Sequence, residues 1–465
     1  MSGRRRTVRV RSTAARSIVG SSRVLLCLLA VAAAALGGCS IYRPKPLPWQ
    51  PSLAAAPTVT VPARDLGGVP GLRPEPIDPA KGLTETNVAA LAVLGNPRLR
   101  AVRRQEGVAR AQLFAAGLLP DPVLSGGITK SPFFTGYGAA LTEAVRTLIT
   151  HGASKAAAKA NAQRVHLDVV WQEWQVAARA RELYVEARTL RHLRAALGTR
   201  RRDLGRLYRR DLAALARHEM TAPQAATDLA AWNAAEGDWR ALELRENANR
   251  HALDGLLGLE PSVRLRLRRI TRAPVIDDAQ YRSALAQLPR RRPDLLALRA
   301  GYRSQEQRLR EAILGQFPLL GVGVDKTRSA EEGIQSIGFN VSLTLPIFNR
   351  NRGPIAIARA SRAYLYRDYR ARLDKSVIQA DEVWTATQIM RRRLAALAVQ
   401  RAALAHTVAL ARRSVSDRTE RFADYVRLES AAIGVDVQAI ELRGSLRQAE
   451  VVLATILAVP IAAHP

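Results

Sequence analysis

The chain has 465 residues, 71 of them basic and 40 acidic, for a formal net charge of +31. Its 48% hydrophobic content is enough to drive packing and excludes a disordered chain, and two cysteines in this length exclude a disulfide scaffold. Only seven of the basic residues are lysine (Lys45, Lys81, Lys130, Lys155, Lys159, Lys326 and Lys375), and the rest are arginine. So basic a chain raises nucleic acid as a partner, but no recognisable binding module accompanies the charge. Arginine spread over solvated helix faces accounts for it equally well.

Residues 1–38 read as a signal peptide. Arg4, Arg5, Arg6, Arg9, Arg11, Arg16 and Arg23 form a basic segment without an acid, and Val24 to Leu36 is an apolar run of 13 residues. That run is short for a membrane span and right for a secretory core. It ends in Leu36-Gly37-Gly38-Cys39, which resembles the lipobox of bacterial lipoproteins. The resemblance implies lipidation (palmitate included) at Cys39, and Ser40 after it favours the outer membrane over the inner. An ordinary cleaved signal with a chance cysteine is the alternative. No later segment has 18 uninterrupted apolar residues, so no helical membrane span is expected and any crossing requires a closed barrel of strands.

Residues 39–79 form the expected lipid anchor and extended arm, since ten of the 24 prolines lie between Pro44 and Pro79. Beyond it the chain is rich in Ala, Leu and Arg and reads as helix, with interruptions. In 335–345, Ile337, Phe339, Val341, Leu343 and Leu345 alternate with Ser336, Gly338, Asn340, Ser342 and Thr344, a strand with one apolar and one polar face. Leu320, Val322 and Val324 alternate with Gly321 and Gly323 upstream, giving a β-hairpin over 317–347. A weaker hairpin spans 118–148. Phe133, Phe134, Phe317, Phe339 and Phe348 fall in or beside these strands, where aromatic residues suit a membrane–water interface, although a Phe more often packs in a soluble core.

The two halves correspond. Asn96-Pro97 answers Arg292-Pro293, Leu119-Pro120 answers Phe317-Pro318, Gly138 answers Gly338 and Gly152 answers Gly353, at offsets of 196 to 201 residues. Residues 80–275 and 276–465 therefore read as an internal duplication, each copy with a helix, a β-hairpin and a long helical hairpin (152–258 and 353–460). A segment near 259–276 ends the first copy. Leu190, Leu193, Leu197, Leu204 and Leu207, and likewise Leu394, Leu397, Leu404 and Val408, keep coiled-coil spacing. Four strands with one apolar face cannot close in lipid, and three copies would supply twelve.

These features resemble the TolC-like outer membrane factors. The most specific pieces are Arg292-Pro293-Asp294-Leu295 and Leu345-Pro346-Ile347-Phe348-Asn349-Arg350-Asn351-Arg352-Gly353. The latter resembles the heavy-metal cation efflux branch, as does Leu119-Pro120-Asp121-Pro122. The resemblance implies an α+β membrane protein: a homotrimer whose 12-stranded barrel, four strands per chain, continues into a periplasmic α-helical coiled-coil barrel. It implies a passive exit duct of a tripartite efflux system, with a periplasmic adaptor (membrane fusion) protein and a resistance-nodulation-division inner membrane pump as partners. It implies no catalysis, no cofactor and no nucleic-acid partner. Multidrug efflux or type I secretion is the alternative cargo, and a lipid-anchored coiled-coil scaffold without a channel is the alternative class.

The resemblance places gate and adaptor contact at the helical tips, near 214–226 and 413–430. His218 and Glu219 stand where a glycine is expected, and Phe422-Ala423-Asp424 occupies the second place. Asp417, Glu420, Asp424, Glu219 and His218 are the gate candidates. Threefold copies of the acids could form a cation-binding ring, against the simpler reading of solvated helix-end charges. His218, Glu219 and Met220 include metal-ligand types, but adjacent helical residues point apart, so no metal site is expected in one chain. The remaining histidines are scattered and form no hydrolase or metalloprotease motif.

Overall fold

The computed structural model describes residues 42–57, 69, 72, 77–121, 123–131, 134–268, 276–329, 335–344, 346–416 and 421–460. The signal segment, Cys39, Asp417 and Glu420 lie outside them. The chain divides into two units, 1–52 and 53–465. In the first, residues 42–52 have no regular structure.

The second unit opens with α1 (Glu85–Gly95) and α2 (Pro97–Ala115). Thr84 and Asn87 cap α1 reciprocally, the Asn87 N–H donating to Thr84 Oγ1 at 3.1 Å and the Thr84 N–H to Asn87 Oδ1 at 3.0 Å. Pro97 stops α1, and Asn96 Oδ1 caps α2 by accepting from the Leu99 N–H at 2.9 Å. Strands β1 (Val123–Ser131) and β2 (Phe134–Ala144) follow, then α3 (Val145–Ala216) and α4 (Ala222–Leu257). The order then recurs as α5 (Asp278–Arg291), α6 (Pro293–Leu314), β3 (Leu319–Ser329), β4 (Gln335–Thr344), α7 (Arg352–Ser416) and α8 (Phe422–Ile456).

Helix α3 has 72 residues, roughly 110 Å at about 1.5 Å per residue. It starts directly after β2, so residues 145–148 are helical and not part of a hairpin reaching 148. Val145, Thr147, Ile149 and Thr150 carry strand preference, and the continuing helix overrides it.

The leucine stripe of α3 is buried throughout. Leu190, Leu193 and Leu197 pack with Leu242 of α4, with Val437 and Ile440 of α8 alongside. Nearer the turn, Leu204 and Leu207 pack with Ala235 and Val426. The corresponding stripe of α7 is less covered: Leu397 is buried, whereas Leu394, Leu404 and Val408 are half-exposed. The difference is positional. Helix α3 has α4 on one side and α8 on the other, whereas α7 has α8 and, at its start, α6.

Helix α6 fits between α3 and α7. Ser304 Oγ donates to the Ala157 carbonyl at 2.8 Å, and Gln305 Nε2 to the Ala358 carbonyl at 3.1 Å. Gly301 allows the approach, since a Cβ there would sit 2.9 Å from Arg164 Cδ. The Arg292-Pro293-Asp294-Leu295 motif pins the α5–α6 corner. Buried Arg292 Nε donates to Asp294 Oδ1 at 2.7 Å, and its guanidinium lies 4.7 Å from the Trp171 ring centre. Pairing compensates much of the cost of burying both charges.

Around the middle of the chain path, Leu83 bridges Leu267 and Ala54 bridges Leu259, both in parallel. Buried Tyr184 fixes this belt to α3, its hydroxyl donating to the Arg268 carbonyl at 2.7 Å. By length and mean hydropathy alone one helix among the described residues, α7, is apolar enough to cross a membrane, although it holds no run of 18 uninterrupted apolar residues. Its Ala and Leu raise the average across scattered charges. Arg391 pairs with Glu450 at 3.0 Å and Arg401 with Asp436, tying those charges to α8.

Candidate membrane face and helix tips

The four strands form one antiparallel sheet in the order β1-β2-β3-β4. Because β2 and β3 pair across the 174 residues between Ala144 and Leu319, the two hairpins share one ladder. The register aligns Leu124, Leu141, Val324 and Phe339 in a single row, and Val322 opposite Val341 in the next. Directly opposed residues share a face, so these apolar positions fall on one side, which also takes Glu143 opposite Val322 and Lys326 opposite Ile337. Among the described residues nothing covers that side. Ile337, Phe339, Val341 and Leu343 of β4 are 53–84% exposed, and Leu124, Val322 and Val324 are exposed with them.

The other face carries Gly and short polar residues. Ser336 pairs with Thr327, Gly338 with Asp325, and Ser342 with Gly321. Gly321 lies so near Ser342 that a Cβ would meet its Oγ at 2.4 Å. Strands β1 and β4 form the two edges of this sheet, and each pairs on one side only. An exposed apolar face above a polar one, with both edges open, is unstable alone in water and in lipid. Phe317 and Phe348, just outside the strands, are exposed as well.

The turn into α7 holds Arg350 and Asn351 in left-handed conformation, with φ of 44° and 55°. Asn351 Nδ2 donates to the Ala312 carbonyl at 2.6 Å, fastening the turn to the end of α6. The motif over 345–353 is thus a backbone device among its described residues, 346–353.

At the first helical tip, His218 has φ of 59°. The His218 N–H donates to the Leu215 carbonyl at 3.0 Å and the Glu219 N–H to the Ala214 carbonyl at 2.9 Å. That is a Schellman cap with histidine in the place that glycine fills most easily. Glu219 is fully exposed and accepts from Arg217 Nε at 2.9 Å, which holds its carboxyl below the usual range. The two candidates are brought together at one turn but point to no shared ligand. Asp424, in the first turn of α8, faces Arg427 of its own helix at 3.4 Å. Among the described residues no group of three or more His, Cys, Asp or Glu could hold a metal ion.

A cluster just inside the tip escaped the sequence reading. Asp211 of α3, Asp228 of α4 and Arg427 of α8 meet there, with Asp211 4% and Asp228 1% exposed. Arg427 donates to both Asp228 oxygens, Nε at 3.1 Å and Nη2 at 2.7 Å. Burial, then the neighbouring Asp228 carboxyl, pushes the Asp211 carboxyl up to about 6. A signal was available: the two acids stand symmetrically about the turn at 219–220, and residues at equal distance from a helical turn face each other.

No family model matches the sequence, and no curated protein matches it either. Solved structures do. The chain is similar to the CmeC outer membrane channel of Campylobacter jejuni, with a TM-score of 0.67 at 13% identity over 92% of this chain and 95% of that one. It is similar to the MtrE outer membrane channel of Neisseria gonorrhoeae in its open state, with a TM-score of 0.60 at 15% identity over 91% and 99%. CusC, which forms a transmembrane channel, gives a TM-score of 0.64 at 14% identity over 81% and 92%. The fold is that of outer membrane channels. The described residues of the strands and the long helices take up this channel fold.

Proposed function

We propose that the protein is a TolC-like outer membrane factor, a passive duct for efflux across the outer membrane. The observation that carries this is the four-stranded sheet, apolar and uncovered on one face, polar on the other and open at both edges. Three copies close it into a barrel of twelve strands, with the short polar residues around an aqueous lumen. The half-exposed stripe of α7 then packs on a neighbouring copy, and the helices continue the wall on the periplasmic side.

The duplication reading gains support from the helix ends. Gly258 after α4 and Ala458 after α8, 200 residues apart, are both left-handed, with φ of 69° and 54°. Both close Schellman caps: the Leu259 N–H reaches the Asp254 carbonyl at 2.9 Å, and the Val459 N–H the Ala454 carbonyl at 2.9 Å.

In this reading Cys39 carries the lipid, the tips meet a periplasmic adaptor and an inner membrane pump supplies the energy. The duct itself catalyses nothing. Heavy-metal cations are the proposed cargo, on the resemblance of the 345–353 and 119–122 segments to that branch. Asp417, Glu420 and Asp424 are proposed to ring the exit axis at the tip.

Planar-bilayer recording on the purified oligomer tests the duct. Discrete conductance steps are expected, and a protein that binds lipid without conducting would be a scaffold. Deleting the gene tests the cargo. Sensitivity to copper, zinc or cobalt is expected to rise, and unchanged metal tolerance with drug hypersensitivity would assign the duct to organic compounds.

A further inference from the structure

The Asp211–Asp228–Arg427 cluster poses a charge problem that the duct reading does not address. It lies five residues before the end of α3, six after the start of α4 and five after the start of α8. One guanidinium meets two carboxyl groups. Arg427 satisfies Asp228, and its Nη1 turns toward Asp424 at 3.4 Å. Asp211 lies within hydrogen-bonding reach of Asp228, while its Oδ2 is buried without a partner. Two carboxylates offer only acceptors to each other, so their contact needs one proton between them.

We propose that Asp211 and Asp228 form a one-proton site joining the two helical hairpins near their turns. Protonated Asp211 donates to Asp228, which also accepts from Arg427, so the chain Asp211, Asp228, Arg427 links α3, α4 and α8. Loss of the proton leaves two adjacent buried negative charges for one positive, and the link loosens.

The position of the Asp211 titration fits this role. Its carboxyl moves from 3.8 to about 6, raised first by burial, then by the Asp228 contact and charge, and lowered in part by Arg427. Among the described residues Asp228 faces it from α4, and Arg427, backed by Asp424, from α8. The neighbouring Arg210 turns away, over the Phe422 ring at 4.3 Å. The sign follows from linkage. The joined helices hold a proton that the separated ones release, so the stabilisation is complete below about pH 4 and lost as pH rises through about 6.

Hydrogen exchange on the full-length protein in detergent, at pH 5 and pH 8 and corrected for intrinsic rates, tests the site. Local opening of peptides covering residues 204–216 and 222–235 is expected to rise about tenfold from pH 5 to pH 8. Asp211→Asn, which mimics the protonated acid in shape, should hold opening at the pH 5 level at both values. Asp228→Asn, which removes the second charge and leaves only burial to raise Asp211, should reduce the pH response well below the wild-type value, and an undiminished response in it would overturn the proposal if the first variant does not fold. Equal opening of the wild type at both pH values would overturn the proposal. So would a full pH response retained in Asp211→Asn, or an equal response around Tyr184, far from the turn. Each readout is independent of whether the protein conducts.

Discussion

His218 shows how backbone geometry accounts for a residue that the sequence only singles out. Its position where a glycine belongs is visible in the chain, and its φ of 59° gives the reason. An L-residue in that region carries strain of order 1–3 kcal/mol, part of which glycine would relieve. His218→Gly is expected to stabilise the first hairpin by about 1 kcal/mol, read as slower hydrogen exchange at the turn. Asp211 and Asp228 illustrate the opposite case. Nothing in their local sequence marks them, since each is an ordinary helical acid, Asp211 beside arginines and Asp228 among alanines. Only the pairing of α3 with α4 puts them in contact, and that pairing depends on where the turn falls. Asp424, by contrast, stood out in the sequence as one acid of a possible ring. Within one chain its nearest partner is Arg427, an ordinary surface pair worth little by itself.

At the scale of elements, legibility tracked periodicity. The strict alternation that begins at 335 coincides with β4 through Thr344, because a strand with one apolar and one polar face must alternate. β1 reads less clearly because Gly126 and Gly127 interrupt its pattern, and its pairing with β2 decides it. β2 ends at Ala144 although β-branched residues continue past it, because the chain there passes directly into α3. The two faces of the sheet predict different responses to one change. Val341→Lys puts a charge on the apolar face, costs about 2–4 kcal/mol near the middle of a bilayer and should sharply reduce membrane insertion. Ser336→Lys, on the opposite face, should insert normally and alter conductance. Fractionation of membranes with the two variants checks the contrast. In the helical seam, Leu204 is 1% exposed among Leu207, Ala235 and Val426. Leu204→Ala is expected to destabilise this region by about 2–5 kcal/mol, measured by denaturant unfolding of the solubilised protein.

The whole molecule is explained by what a single chain leaves undone. Its helices bury α3 well and α7 poorly, and its sheet presents an exposed, largely apolar face with two edges that pair on one side only. Composition concealed this: the strong positive charge suggested surface chemistry, while the decisive features occupy four short strands and one helix face. The count of strands per chain was legible, because each hairpin carries its own turn and alternation. The closure by three copies follows from that count as a proposal, since one chain holds no contact between copies. Native mass spectrometry of the full-length protein in mild detergent tests that closure most directly. The account predicts a dominant species with the mass of three chains. A single-chain species under conditions that preserve the fold would contradict it.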